Sequence, residues 1–239
     1  LPQMIHELAH VLPNGYLVGG LTSSRGDNLQ VTTNGLTKDS ISGVLFSDQV
    51  PVVTALTQGC SPVGPRHHIT EYQRNIVISI DDQPALEVMK SDIGEILSRD
   101  LDSIGNYIFA GFPISGSDKG DYLVRNLMGV DRENNLVAIG EMLDEHREIM
   151  FCRRDGNTAR DDLLRMLNGI KRRIGTQQPK GALYYSCLGR GRALFGPDSE
   201  ELGIIKDELG DIPLTGFYCN GEIAHDQLYG YTGVLTVFL

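Results

Sequence analysis

The sequence predicts a mixed α/β (α+β) protein in which helices are layered on mixed sheets and the chain ends in a strand, helix, strand unit. Three observations carry this reading. Short runs rich in β-branched and aromatic residues, such as residues 75–80 and 181–187, alternate with stretches whose apolar residues keep helical spacing, such as Leu163, Met166, Leu167, Ile170 and Ile174. Clusters of Gly, Pro, Asn and Asp mark the changeovers. With 239 residues and 41% hydrophobic content, the chain can bury a substantial core, and its length allows one large domain or two small ones.

Residues 2–12 predict a short helix with Ile5, Leu8 and Leu12 on one face and Pro13 as its stop. Within it, His6-Glu-Leu-Ala-His10 matches H-E-x-x-H, whose imidazoles at i and i+4 can hold zinc while the glutamate acts as base. Such helices are long and need a third ligand downstream, so no metal is expected here. Residues 16–19 predict a strand running into Gly19-Gly20, residues 22–28 a polar loop, and residues 29–33 and 41–46 two strands with Asn34-Gly35 as a turn signal. The segment 15–20 corresponds to 216–221, and Gly43-Val-Leu45 to Gly233-Val-Leu235, which suggests a partial internal duplication. On that reading the chain begins inside one copy, and the strand at 16–19 lies at an unpaired sheet edge.

Residues 52–80 predict three strands around a rigid turn, Gly59-Cys-Ser-Pro-Val-Gly-Pro65. His67 and His68, adjacent in a strand, point to opposite faces, and solvent exposure is expected for both. Asp81-Asp82-Gln-Pro84 caps a helix whose core stripe is Leu86, Met89, Ile93, Ile96 and Leu97. A strand at 107–112 leads to a glycine-serine loop at 113–120, a lid or a plain surface excursion. Antiparallel strands follow at 122–130, 136–139 and 148–152, and Arg125 in the first points into a pocket or lies on an exposed face. The longest helix is 158–174, with its charged residues mostly opposite the apolar stripe.

The functional argument rests on residues 181–226. Strand 181–187 ends in Leu188-Gly-Arg-Gly-Arg192, whose glycines permit close backbone approach and whose arginines offer forked donors to carboxylate or phosphate. A helix with Leu202, Ile205 and Leu209 at helical spacing follows Pro197 and ends at Gly210, and strand 213–219 exits through Asn220-Gly-Glu-Ile-Ala-His-Asp226. A strand, helix, strand unit makes a right-handed crossover between parallel strands, so both exit loops lie on one edge of the sheet, where open α/β sheets bind ligands. The candidate ligand-binding residues are therefore Cys187, Gly189, Arg190, Gly191, Arg192, Asn220, Gly221, Glu222 and His225, with Arg125 as an outlying member. The loop lacks the Gly-Lys-Ser/Thr ending of a phosphate-binding P-loop. Each arginine also has a plain structural reading, in which it holds a neighbouring loop through an acidic side chain. Residues 228–239 form a last, long apolar strand.

A net charge of −10 argues against nucleic acid or an anionic membrane as the main partner, and no apolar run approaches the roughly 20 residues of a membrane helix. Cys60, Cys152, Cys187 and Cys219 are spread without zinc-finger spacing and suit a reducing cytoplasm, as four thiols.

The motifs Gly181-Ala-Leu-Tyr-Tyr-Ser-Cys-Leu-Gly-Arg-Gly-Arg192, Leu194-Phe-Gly196, Gly216-Phe-Tyr-Cys-Asn-Gly-Glu-Ile223 and Tyr229-Gly-Tyr-Thr-Gly-Val-Leu235 resemble, in order and spacing, the C-terminal FIST (F-box and intracellular signal transduction) domain. Thr57-Gln-Gly-Cys-Ser-Pro-Val-Gly64, Pro84-Ala-Leu-Glu87 and Gly120-Asp-Tyr-Leu-Val-Arg-Asn-Leu127 resemble its earlier blocks. Residues 1–50 are similar to the tail of the N-terminal FIST domain, which puts the C-terminal domain at 51–239. The resemblance implies a cytoplasmic sensory domain that binds a small ligand, an amino acid or other small carboxylate, and passes its signal to a downstream protein or module. The resemblance establishes no enzymatic activity and no obligatory cofactor, and a haem-based gas sensor is an alternative because some members are associated with haem. A thiol-dependent enzyme using Cys187, activated by Arg190 or His225, is the competing class. In either class Cys187, beside two arginines, is expected to be partly exposed and reactive.

Overall fold

A computed structural model describes residues 1–12, 15–98, 101, 104–114, 121–144, 146–198 and 200–239. The chain forms two units, one of residues 1–59 with 160–239 and one of residues 60–159. The mixed α/β class holds.

In the first unit, α1 (Pro2–Val11) is seated by Ile5 and Ala9, the two side chains it buries. Strand β1 (Leu17–Gly20) follows, and then a hairpin of β2 (Leu29–Thr32) and β3 (Gly35–Lys38) around a turn at Thr33-Asn34, one residue before the place the Asn34-Gly35 signal marked. The second hairpin strand is thus 35–38 and not 41–46, because a two-residue turn returns the chain at once. Residues 41–46 carry no strand, and Val44 and Leu45 are exposed. The segment matched to Gly233–Leu235 by the duplication therefore has no equivalent role. Strand β4 (Val52–Gln58) closes this part of the unit.

The second unit is a ring of antiparallel pairings. It contains β5 (Cys60–Pro62), β6 (His67–Gln73), β7 (Ile76–Ile80), the short β8 (Gln83–Pro84), α2 (Ala85–Ser98), β9 (Ile108–Pro113), β10 (Tyr122–Asp131), β11 (Leu136–Ile139) and β12 (Glu148–Arg154). The order β11-β10-β9-β12-β6-β7 closes on itself because β7 also pairs with β11, and the closure leaves few open edges. Val77, Ile80, Ile108, Ile139, Ile149 and Phe151 are buried in it. Helix α2 breaks its helical geometry at Gly94, where φ is 77°. Its expected stripe is buried at Leu86, Met89 and Ile93; the side chains of Ile96 and Leu97, and the proposed lid over most of 113–120, lie outside the described residues.

Helix α3 (Gly156–Ile174) returns the chain to the first unit, and Leu163, Met166, Leu167, Ile170 and Ile174 are all buried as the spacing predicts. Strand β13 (Gly181–Cys187) then runs into two helices, α4 (Gly191–Phe195) and α5 (Glu200–Leu209), followed by β14 (Leu214–Cys219), β15 (Glu222–His225), β16 (Gln227–Tyr229) and β17 (Thr232–Phe238). The main sheet has the order β14-β13-β17-β4, with β13 and β14 parallel as the crossover requires. A second sheet has the order β1-β15-β16, which leaves β1 at an edge.

Three expectations are corrected in this region. The glycine-arginine stretch is helical from Gly191, the exit loop after β14 contains β15, and the last apolar strand is split by Gly230-Tyr231, where Tyr231 takes a φ of 61°. In α5 the buried face is Glu201, Ile204 and Ile205, and Leu202 is exposed.

Candidate functional site

Cys187 and Cys219 end β13 and β14 side by side in the parallel register, and the polypeptide beyond each turns into the site. Two buried polar clusters gather there.

The first is built on β13. Tyr184 and Ser186 are two residues apart, so both side chains leave the same face of the strand. Tyr184 Oη donates to Glu201 Oε1 at 2.6 Å, and Ser186 Oγ donates to Oε2 at 2.9 Å. Arg190, fully buried, donates from Nε to Glu201 Oε1 at 2.7 Å and lies with its guanidinium 5.0 Å from the centre of the Phe195 ring. Its Nη2 is 2.7 Å from the same Glu201 oxygen but off the hydrogen-bonding direction, and among the described residues Nη1 meets no acceptor. Burial pulls the Arg190 pKa down, but Tyr184 and Glu201 outweigh it and the net shift is upward. Tyr184 is held well above its usual range, chiefly by burial. A buried ion pair is tolerable only when the remaining donors and acceptors are met, and Glu201 meets that condition on both oxygens.

The second cluster is built on Glu222, also fully buried. Its Oε2 accepts from the backbone N–H of Thr232 at 3.1 Å and from Thr232 Oγ1 at 2.8 Å. Oε1 has no partner of hydrogen-bonding geometry among the described residues. Burial raises its pKa to about 7, against the opposing pull of Thr232, the Cys187 thiol and the Gly221 backbone. Cys187 goes up to about 11 and Cys219 to about 12, each first through burial and then through the Glu222 charge.

Both clusters border on the turn between β16 and β17. A Cβ at Gly59 would stand 3.3 Å from Arg190 Nη1 and 2.4 Å from the Tyr231 carbonyl oxygen. One at Gly189 would stand 2.9 Å from Tyr231 ring carbons and 3.7 Å from Cys187 Sγ. Glycine at both positions leaves room for the Tyr231 turn, whose next residue, Thr232, bonds Glu222. Helix α3 fixes the approach to Gly59: Asp162 accepts from Thr57 Oγ1 at 2.9 Å and from the Gln58 backbone at 2.6 Å.

Of the residues singled out from the sequence, Cys187, Gly189, Arg190 and Glu222 come together here, with the buried backbone of Gly191 and Gly221 beside them. Arg192 and Asn220 are exposed, and the Asn220 backbone N–H is spent on the Leu21 carbonyl at 3.0 Å. His225 is exposed and its Nδ1 lies 2.8 Å from Asp226 Oδ1. Arg125 belongs to the unit of residues 60–159, where its Nε donates to Glu141 at 2.6 Å. The partly exposed, reactive Cys187 is corrected: it is 9% exposed, and its burial beside a carboxyl raises the thiol pKa instead of lowering it.

Sequence reasoning missed Glu201, Tyr184, Ser186 and Thr232. Glu201 was legible only as an acidic first-turn residue, although a tyrosine and a serine alternating in a buried strand do signal a buried acceptor. His67 is a further correction. It is not solvated but clamped, with Nδ1 2.6 Å from Asp81 and Nε2 2.9 Å from Asp92. The same unit holds a shallow cleft of about 280 Å³ along Leu101, Ile104 and residues 127–130, and among the described residues no ionisable side chain lines it.

The chain matches the FIST N domain over residues 2–83 and the FIST C domain over residues 85–225. The two matches meet at residue 84, downstream of the boundary near residue 50 that the motifs suggested. It is 30% identical over 255 residues to an uncharacterized protein of Mycobacterium tuberculosis (strain H37Rv), covering 99% of this chain and 64% of the relative. It is 28% identical over 242 residues to an uncharacterized protein of Mycobacterium bovis, covering 95% and 61%. The chain thus spans under two thirds of the length of these relatives.

Proposed function

The chain belongs to the FIST family, whose domains are sensory domains of signal-transduction proteins, and from that premise we propose that it senses a small zwitterion such as an amino acid at the Arg190–Glu222 site. The observation that carries the reading is a pair of buried groups bordering one turn, the Arg190 guanidinium and the Glu222 carboxyl, whose Nη1 and Oε1 each lack a partner of hydrogen-bonding geometry among the described residues. A buried polar atom left unpaired costs about 1 to 3 kcal/mol, more when charged, so a ligand that pairs both recovers that cost. A ligand carboxylate suits the guanidinium and a ligand ammonium suits the carboxylate. The Tyr231 turn, which both clusters border, is the element whose position such a ligand would change, and it leads directly into β17 at the centre of the main sheet. A downstream protein or module reads that change.

Four free thiols suit a reducing compartment, and no helix of the described residues is long and apolar enough to cross a membrane. A cytoplasmic sensor is consistent with both. The thiol-enzyme reading loses its support, because Cys187 is buried and its pKa is raised to about 11.

A thermal-shift screen of amino acids and small carboxylates, followed by calorimetry, tests the proposal. Glu222→Gln keeps the shape of the side chain and is expected to weaken binding about tenfold or more. A ligand that binds wild type and the variant equally, or a Soret band on haem addition with no response to any amino acid, would overturn it.

A further inference from the structure

We propose that His6, His10 and Asp226 form a binding site for a divalent transition metal, with zinc as its reference ion. The sequence offers the two histidines at i and i+4 of α1 but no third ligand nearby. The fold supplies it: Asp226, in the tight connection between β15 and β16, is brought up to α1 from 216 residues beyond His10. One ligand atom from each of the three side chains lies within 4.8 Å of the others.

Several features prepare the arrangement. Ile5 and Ala9 are buried and fix the rotation of α1, so the His6 and His10 face, one residue further round, lies along its margin. The two imidazole rings are 4.1 Å apart. His10 Nδ1 lies 2.8 Å from the His6 carbonyl oxygen, to which it must donate, and this leaves the Nε2 lone pair for a metal. That contact is the backbone-carbonyl support that metal-ligating histidines commonly have. Asp226 is similarly held. Its Oδ1 faces His225 Nδ1 at 2.8 Å and the Gln227 amide at 3.3 Å, while Oδ2 faces His6 Nδ1 at 3.0 Å.

Two imidazoles and a carboxylate suit zinc and its neighbours, with bonds of about 2.0 to 2.2 Å and hence ligand atoms roughly 3.3 Å apart in a tetrahedron. The His6 Nδ1–Asp226 Oδ2 separation, 3.0 Å, is slightly shorter than this, so the pair needs only to part a little around an ion. Both histidines are exposed, so small ring rotations bring His10 in. Three protein ligands leave a coordination position for water or a solute. Glu7, the remaining motif residue, bonds Gln3 at 2.9 Å, so no base is assigned and the site is one of binding.

The test is titration of the full chain with zinc, read by calorimetry and by competition with a chromophoric chelator, with cobalt as a spectroscopic substitute. One equivalent is expected, with visible cobalt bands of nitrogen and oxygen coordination. His10→Ala and Asp226→Asn should each weaken binding at least tenfold, while His68→Ala, at an exposed histidine of the other unit, should leave it unchanged. His10→Gln, read with circular dichroism, guards against misfolding of the alanine variant. Absence of stoichiometric binding, or equal affinity in all variants, would overturn the proposal.

Discussion

Cys187 and Cys219 are register partners at the ends of two parallel strands, and the carboxyl of Glu222 raises the pKa of both thiols beyond what burial alone does. With pKa values of about 11 and about 12, neither carries appreciable thiolate near neutrality. Brief iodoacetamide treatment of the folded chain at pH 7 should therefore label Cys187 no faster than the buried Cys60 and Cys152, whereas all four label after unfolding. Mass spectrometry of tryptic peptides measures this, and preferential labelling of Cys187 would restore it as a nucleophile.

Glu222 carries the clearest pH dependence. Its folded pKa of about 7 stands above the unfolded value, about 4.3, so between those values the unfolded chain has lost a proton that the folded chain still holds. Stability contributed by this group is present below about pH 4 and falls as pH rises to about 7. Glu222→Gln cannot ionise and is expected to gain on wild type across that window, by about 3 to 4 kcal/mol at most. Urea unfolding of both proteins at pH 5 and pH 8 checks it, and parallel curves would contradict it. An ammonium ligand should show the opposite trend, with affinity rising through pH 7 as the carboxylate ionises.

His67 has the reverse sign. Burial lowers its pKa, but the hydrogen bonds and charges of Asp81 and Asp92 overcome this and leave it raised. Its contribution is complete below the ordinary histidine pKa of about 6.5 and is lost as pH rises through the folded value. Wild type should exceed His67→Gln in stability at pH 5.5 by more than at pH 9. Equal differences at both values would mean that the imidazole acts by packing alone.

The legible parts of the fold were those set by local pattern. The α3 stripe, the β13–β14 crossover and the β10–β11 hairpin follow from spacing, turn residues and the handedness of connections, all of which act within a few residues. What escaped depends on partners distant in sequence. The pairing of Glu201 with Arg190 was legible only as one of two open readings of that arginine. No pattern showed that Asp226 would meet His6, or that Asp81 and Asp92 would enclose His67. The strand at 41–46 failed for a different reason: alternation marks a possible strand, but the tight turn at Thr33-Asn34 had already supplied the partner of β2 from residues 35–38.

The Arg190–Glu201 pair separates the two roles that the site combines. Removing one member leaves a buried charge with nothing to balance it, a loss of about 3 to 5 kcal/mol, so Glu201→Ala should be strongly destabilised, with Tyr184 and Ser186 also losing their acceptor. Replacing both members by apolar residues of similar volume, as in Arg190→Met with Glu201→Leu, removes the imbalance. Such double replacement is often neutral or stabilising. It should therefore recover most of the loss while abolishing the amino-acid response, because the guanidinium is gone. Urea unfolding of the single and double variants, paired with calorimetry on the double, distinguishes the outcomes. A folded double variant that still binds would remove Arg190 from the site; one as unstable as Glu201→Ala would show that Tyr184 and Ser186, left without their shared acceptor, account for the cost.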